Sequence, residues 1–143
     1  MIRIITLEDI PNVEAEAIAY IDTNLLINRR HLLKEINCNI PTNGIFNEVI
    51  RFITTNTNKK MITYVYNVAN LSSRVKYVLF IPYMNLDNIN MEDIEITFSE
   101  LKDVLDSFNI NKVMIPTTSY DLIFESMISK TLGNKTVYVL KVD

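Results

Sequence analysis

The side chains of this chain that could do chemistry are a set of early carboxylates, one histidine, two adjacent arginines and a hydroxyl cluster near the C-terminus. Asp9, Glu14, Glu16 and Asp22 lie close together and could form an acidic, metal-binding rim, although charges that flank a strand more often face water. His31 is the only histidine; beside Arg30 and four residues before Glu35, it reads as an exposed helix position. One histidine and one cysteine cannot make the usual zinc sets, so neither a metal nor a cofactor is expected. Ser119 and Asp121 resemble a nucleophile pair in spacing, yet no base is placed to activate Ser119, and Asp121 suits the first turn of a helix. Arg29 and Arg30 have two readings, as forked, charge-assisted grips on a phosphate or as solvated residues opening a helix. Thr117, Thr118, Ser119 and Tyr120 follow the apolar run Lys112-Val113-Met114-Ile115-Pro116 and precede a helical pattern. In α/β proteins, ligands sit beyond the carboxyl ends of parallel strands. Part of any pocket floor is therefore expected at Thr117 to Tyr120.

The elements that position these groups are legible from periodicity. Residues 2–6 read as a strand broken by Pro11. Ala15 to Ile21 read as a buried strand closing at Asp22-Thr23-Asn24. One helix follows, with Leu25, Leu26, Leu32, Leu33 and Ile36 as its apolar positions. Beyond Gly44, Ile45, Val49, Phe52 and Ile53 recur at helical spacing. Thr54 to Lys60 reads as a surface loop, Met61 to Val68 as an alternating strand, and Val75 to Ile81 as a strand ended by Pro82. A loop over Tyr83 to Met91 leads into a long helix with Ile94, Phe98, Leu101, Leu105 and Phe108 on one face. Strand 112–116 comes next, then a helix near 119–132 with Leu122, Ile123, Met127, Ile128 and Leu132 inward and Gly133 as its C-cap. Thr136 to Val142 is the last strand. Strands alternating with helices near the C-terminus imply parallel pairing there. The predicted fold is a three-layer α/β/α sandwich around a mixed, largely parallel, six-stranded sheet, in a single domain over residues 1–143.

Composition narrows the function classes. The chain has 143 residues, 48% hydrophobic and 22% charged, enough to bury a core without metal or disulfide support. Cys38 alone cannot form an internal disulfide, which points to a reducing, cytoplasmic setting. No run approaches a membrane span, so no membrane partner is expected. A net charge of −3 gives no drive toward general nucleic-acid binding. Only two glycines occur, where average usage would give about ten. Abundant Ile and Asn suggest an AT-rich coding genome, as in a phage, a virus or a low-GC bacterium.

The order of elements resembles the macro domain, the fold that binds ADP-ribose. Asp9-Ile10 and Ala15-Glu16-Ala17-Ile18 through Asn24-Leu25-Leu26 are similar to the family's opening Asp-Ile pair and its strand leading to a Leu-rich, Gly-rich loop. Lys76-Tyr77-Val78-Leu79-Phe80 resembles its "Lys-Tyr-Val-Ile-His" strand, and Asn109 to Pro116 its "Gly-Ile-x-x-Ile-Ala-Phe-Pro" segment. The resemblance implies an adenine-binding role for Glu16. It also implies phosphate loops after Thr23 and over Thr117 to Tyr120. The departures fall on those loops, where Ile27-Asn28-Arg29-Arg30 and Thr117-Thr118-Ser119-Tyr120-Asp121 stand in place of glycines. Glycine lets a backbone approach a phosphate with no Cβ in the way, so the side chains of Arg29 and Arg30 would have to take over. The family's Asn pair is replaced by Tyr20 and by Thr23 or Asn24, which weakens the case for an ADP-ribose hydrolase. The expected function is a non-catalytic macro-like module for ADP-ribose or a related nucleotide, through Asp9, Ile10, Glu16, Asn24, Arg29, Arg30 and Thr117 to Tyr120. The alternative is a phage or viral interaction protein that keeps the fold, lacks the nucleotide site, and binds a host or viral protein.

Overall fold

Alternation along short apolar strands sets the architecture. In the computed structural model, which describes residues 1–39, 46–56, 59–68, 75–81 and 91–142, seven strands form one sheet. For residues 23, 37–39, 46–56 and 59–68 the description is of the backbone. The strands are β1 (Ile2–Ile5), β2 (Ala17–Tyr20), β3 (Phe46–Asn56), β4 (Lys59–Val68), β5 (Tyr77–Phe80), β6 (Lys112–Thr117) and β7 (Thr136–Lys141). Their spatial order is β1-β7-β6-β2-β5-β4-β3. The strands from β1 to β5 in that order pair in parallel, and β4 and β3 add an antiparallel edge.

Because side chains alternate across a strand, Ala17, Ala19 and Ile21 enter one apolar layer while Ile18 and Tyr20 enter the other. The first layer is closed by two helices, α3 (Met91–Ser107) and α4 (Leu122–Thr131). Phe98, Leu101, Val104, Leu105, Met127 and Ile128 are their buried residues against the sheet. The second layer is closed by a 3-10 helix at Leu7–Asn12, by α1 (Thr23–Asn28) and by α2 (Arg30–Asn39), through Ile10, Leu25, Leu32 and Ile36. This is the expected three-layer sandwich with a mixed, largely parallel sheet.

Some local expectations are corrected. Residues 46–56 are a strand rather than a helix, which raises the strand number to seven. Apolar residues occur there at both odd and even positions, so helical spacing did not discriminate. The density of β-branched and aromatic residues and an antiparallel partner from Phe46 to Asn56 favour the extended chain. The strands also run into the expected loop, since Thr54–Asn56 and Lys59–Lys60 pair. The helix after Asp22 is two helices, parted at Arg29 (φ −127°, ψ 42°). Met91 opens α3 instead of closing a loop. Leu132 caps α4, with Gly133 just beyond it; a Cβ on Gly133 would lie 2.8 Å from the Ser129 carbonyl oxygen. Gly44, the turn at 72–74, Pro82, the loop over 83–90 and the side chain of Cys38 lie outside the described residues.

The long helix ends without glycine. Asn109 takes φ 56°, its N–H donates to Asp106 O at 3.2 Å, and Ile110 N–H donates to Leu105 O at 2.8 Å. That is a Schellman closure in which Asn, a residue that tolerates the left-handed region, replaces the usual Gly.

Candidate ligand-binding site

The registered ladder between β2 and β6 is short. β2 and β6 pair at Ala17↔Val113 and Ile18↔Met114, whereas β6 and β7 pair all the way to Thr117↔Lys141. The Glu16 N–H donates to Lys112 O, so the alternation of the strand turns Lys112, Met114 and Pro116 toward β2, and Pro116, which has no N–H to give, ends the ladder on that side. Beyond it lies a cavity of about 290 Å³. Its apolar walls are Ile21, Ile94, Phe98, Ile123 and Phe124; Asp22, Asn24, Thr97, Thr117 and Ser119 supply polar surface, with Asp93 and Asp121. It therefore draws on the ends of β2 and β6, the start of α1, and the N-terminal turns of α3 and α4. This is the position at which α/β sheets bind ligands.

Asp22 ties the floor together. Its Oδ1 accepts the N–H groups of Asn24 (3.0 Å) and Leu25 (3.3 Å), capping α1. Its Oδ2 accepts the Thr118 N–H at 2.7 Å and the Thr118 hydroxyl at 2.9 Å. The Thr117 hydroxyl, 3.2 Å away, divides its hydrogen between Asp22 and the Ser119 carbonyl at 3.0 Å. Asn24 Nδ2 donates to Thr118 Oγ1 at 3.1 Å, and Asn28 Nδ2 to Asn24 Oδ1 at 2.9 Å. Ser119 N–H donates back to Thr117 Oγ1 at 3.1 Å. On the far wall Asp121 caps α4, accepting the Phe124 N–H at 2.9 Å, and the Thr97 hydroxyl donates to Asp93 O at 2.9 Å.

Aromatic packing holds the α3 and α4 walls. Phe98 meets Phe124 edge to face at 5.3 Å between ring centres, and Tyr120 meets Phe124 at 5.8 Å. Burial, and secondarily the Glu125 charge, pushes the Tyr120 phenol above its ordinary pKa. In the first turn of α4, Leu122 is 82% exposed and Ile123 48%, against the inward placement that their helical phase suggests.

The structure gathers Asn24, Thr117 and Ser119 at this cavity, with Thr118 bound to its floor residue Asp22 and Tyr120 against Phe124. It does not gather the others. Glu16 lies at the opposite end of the sheet, where Oε1 accepts the N–H groups of Asn111 (3.2 Å) and Lys112 (3.1 Å). The length of β6, about 16 Å at ~3.3 Å per residue, separates it from Thr117. Asp9 caps the turn after β1, accepting the Thr6 N–H at 2.9 Å, and Ile10 is buried in the second apolar layer. Arg29 ends α1 and Arg30 opens α2, and neither lines the cavity. His31 is exposed on α2. No cluster of metal-ligating side chains occurs among the described residues.

Sequence reading missed Asp22 as the hub, and Asp93, Ile94, Thr97, Phe98, Ile123 and Phe124 as walls. Asp22 had a signal available, an acidic residue directly ahead of an apolar helical pattern, the mark of an N-cap. The α3 and α4 residues carried only a core-facing pattern.

The fold is an α/β sandwich of the kind seen in macrodomains. The structure is similar to the macrodomain of DarG from Thermus aquaticus, at a TM-score of 0.53 and 12% identity over 99% of each chain. It is similar also to the macrodomain of DarG from Mycobacterium tuberculosis, at 0.53 and 14% identity over 100% of this chain and 99% of that one. At those identities the likeness is one of fold. No protein-family model matches the sequence, and no curated protein does. No helix among the described residues is long and apolar enough to cross a membrane.

Proposed function

We propose that this chain is a non-catalytic binding module of the macro type that holds ADP-ribose or a related nucleotide. The observation that carries the reading is the cavity itself. It lies beyond the carboxyl ends of β2 and β6, in a fold like that of known macrodomains. Its apolar walls suit the flat face of a base, and the Asn24, Thr117 and Ser119 side chains suit sugar hydroxyls. Binding is favoured over turnover because Asp22 and Asp121 are engaged as helix caps. Titration calorimetry with ADP-ribose at millimolar ligand tests this. Saturable heat that disappears in Ser119→Trp, an exposed position whose new ring would fill the mouth, is the expected result. Heat that survives in Ser119→Trp would move the site elsewhere.

A second reading, a module that docks a protein partner, draws on the exposed apolar side chains of Leu122, Ile123, Met91 and Ile27. A flat titration with ADP-ribose would favour it.

A further inference from the structure

At β1 the sheet ends with open backbone. β1 is the terminal strand in the spatial order and pairs, among the described residues, with β7 alone. The Val137 N–H donates to Met1 O at 2.8 Å, and Ile2 lies opposite Val137. In such a parallel pair Met1, Arg3 and Ile5 turn their backbone groups toward β7. The N–H and C=O groups of Ile2 and Ile4 therefore point away from the sheet, where they form a template for one more strand. Alternation sends the Ile2 and Ile4 side chains to the face that α4 covers and Arg3 to the other face, with Ile5 and Tyr138. Ile4 is 57% exposed and Met1 67%. Beside them a hollow of about 330 Å³ is walled by Met1, Ile2, Ile128 and Leu132. On the opposite face a hollow of about 410 Å³ is bordered by Arg3, Asn12 and Tyr138. The Arg3 guanidinium is exposed, sits 5.7 Å from the Tyr138 ring centre and forms no ion pair among the described residues. The carboxylates that share this hollow are engaged, Asp9 with Thr6 and Glu14 with Lys112.

We propose that β1 is a docking edge for an extended segment of another protein, paired antiparallel, with an acidic side chain opposite Arg3 and apolar side chains opposite Ile2 and Ile4. Charge complementarity selects this occupant over a second copy of the chain. In the two-fold register that engages both outward residues, Ile2 would face Ile4 of the other copy and Arg3 would face Arg3, and like charges directly opposite each other are unfavourable. An acidic residue in that place meets the unpaired guanidinium instead, while its apolar neighbours cover Ile4 and reach the hollow beside Met1. Arg3 by itself would serve to keep a short edge unpaired; the apolar surface exposed on the other face of β1 is what a partner strand would cover. None of these residues lines the cavity beyond β2 and β6, so this surface is independent of the nucleotide reading.

The test is an NMR titration of the isotope-labelled full chain with two end-blocked peptides, Ser-Thr-Val-Asp-Val-Thr-Ser and the same sequence with Lys in place of Asp. The Asp peptide is expected to give saturable shifts at the Ile2 and Ile4 amides and to bind roughly fivefold tighter than the Lys peptide. Arg3→Glu, at an exposed position, should reverse that order by a similar factor. Ile4→Pro removes an outward N–H and no bond to β7, so binding should be lost while the β7 amides keep their protection from hydrogen exchange. Absence of saturable shifts with either peptide overturns the proposal, as does equal binding of the two, or an order that Arg3→Glu leaves unchanged. Binding that persists in Ile4→Pro also overturns it. A concentration-dependent dimer of the wild type in sedimentation, abolished by Ile4→Pro, would give the edge to a second copy and overturn it as well.

Discussion

Each end of β6 is held by a carboxylate from the flank of β2, and only one of the two ends opens into a cavity. At the amino edge, Glu16 accepts the N–H groups of Asn111 and Lys112. Its own backbone pairs with Lys112 O on one side and with Lys76 and Tyr77 N–H on the other, so β2, β6 and β5 start in register with no gap. At the carboxyl edge, Asp22 reaches Thr118 while also capping α1. There the β2–β6 ladder has ended at Pro116, and the carboxylate ties the two strand ends together beyond it. The same chemistry is structural at one edge and site-forming at the other. What differs is the surroundings: paired backbone at the amino edge, and the first turns of α1, α3 and α4 at the carboxyl edge.

Substitutions can break that contrast, and the largest effect belongs to Asp22. Asp22→Ala removes the α1 cap and leaves the Thr118 N–H without its acceptor. Chemical denaturation should show a loss of about 3 kcal/mol. Glu16→Ala should cost about 2 kcal/mol, from two unpaired N–H groups, with nucleotide affinity within experimental error of wild type. A fall in affinity there would couple the two edges and undo the comparison.

The smallest effect is pH-dependent and sharpens the picture of the amino edge. Lys135, only 4% exposed, donates to Ile110 O at 2.9 Å and pairs with Asp106 at 2.8 Å. The Lys135 hydrogen bond holds the Asp106 carboxyl below its ordinary pKa. A carboxylate whose pKa is lowered on folding adds stability above its unfolded value, and that stability is lost as pH falls through the folded value. Asp106 is half exposed, so Asp106→Asn should cost under about 1 kcal/mol at neutral pH. The difference from wild type should vanish in acid below the ordinary carboxylate range, as read from urea midpoints across pH. A difference that persisted there would assign the effect to packing rather than charge.

Much of this fold was legible in advance because its strands and helices carry their own signals. The runs 17–20, 77–80, 112–117 and 136–141 are apolar on both faces, as buried parallel strands must be. The long helix carries a clear stripe through Phe98, Leu101 and Leu105, all buried as expected. The 46–56 strand was misread because its apolar residues fit both periods and only its pairing partner decides between them. The site was harder to read. Thr117 to Ser119 were expected on a pocket floor from their place after a strand, a local feature with a general meaning, and Thr117 and Ser119 line the cavity. Glu16 was drawn toward a ligand by resemblance alone, whereas the structure uses it to start two strands.

The sequence by itself determined the layer architecture, the parallel core of the sheet and the loop at Thr117, since each follows from short-range periodicity and turn chemistry. The tertiary structure alone decided that Asp22 closes on Thr118 across 96 residues and that Phe98 and Phe124 form one wall. It alone decided that Glu16 and the two arginines stand apart from the cavity. The physical reason is that a site is made where chain segments distant in sequence converge. A carboxylate carries no mark of which edge of the sheet it will serve until the segments around it have packed.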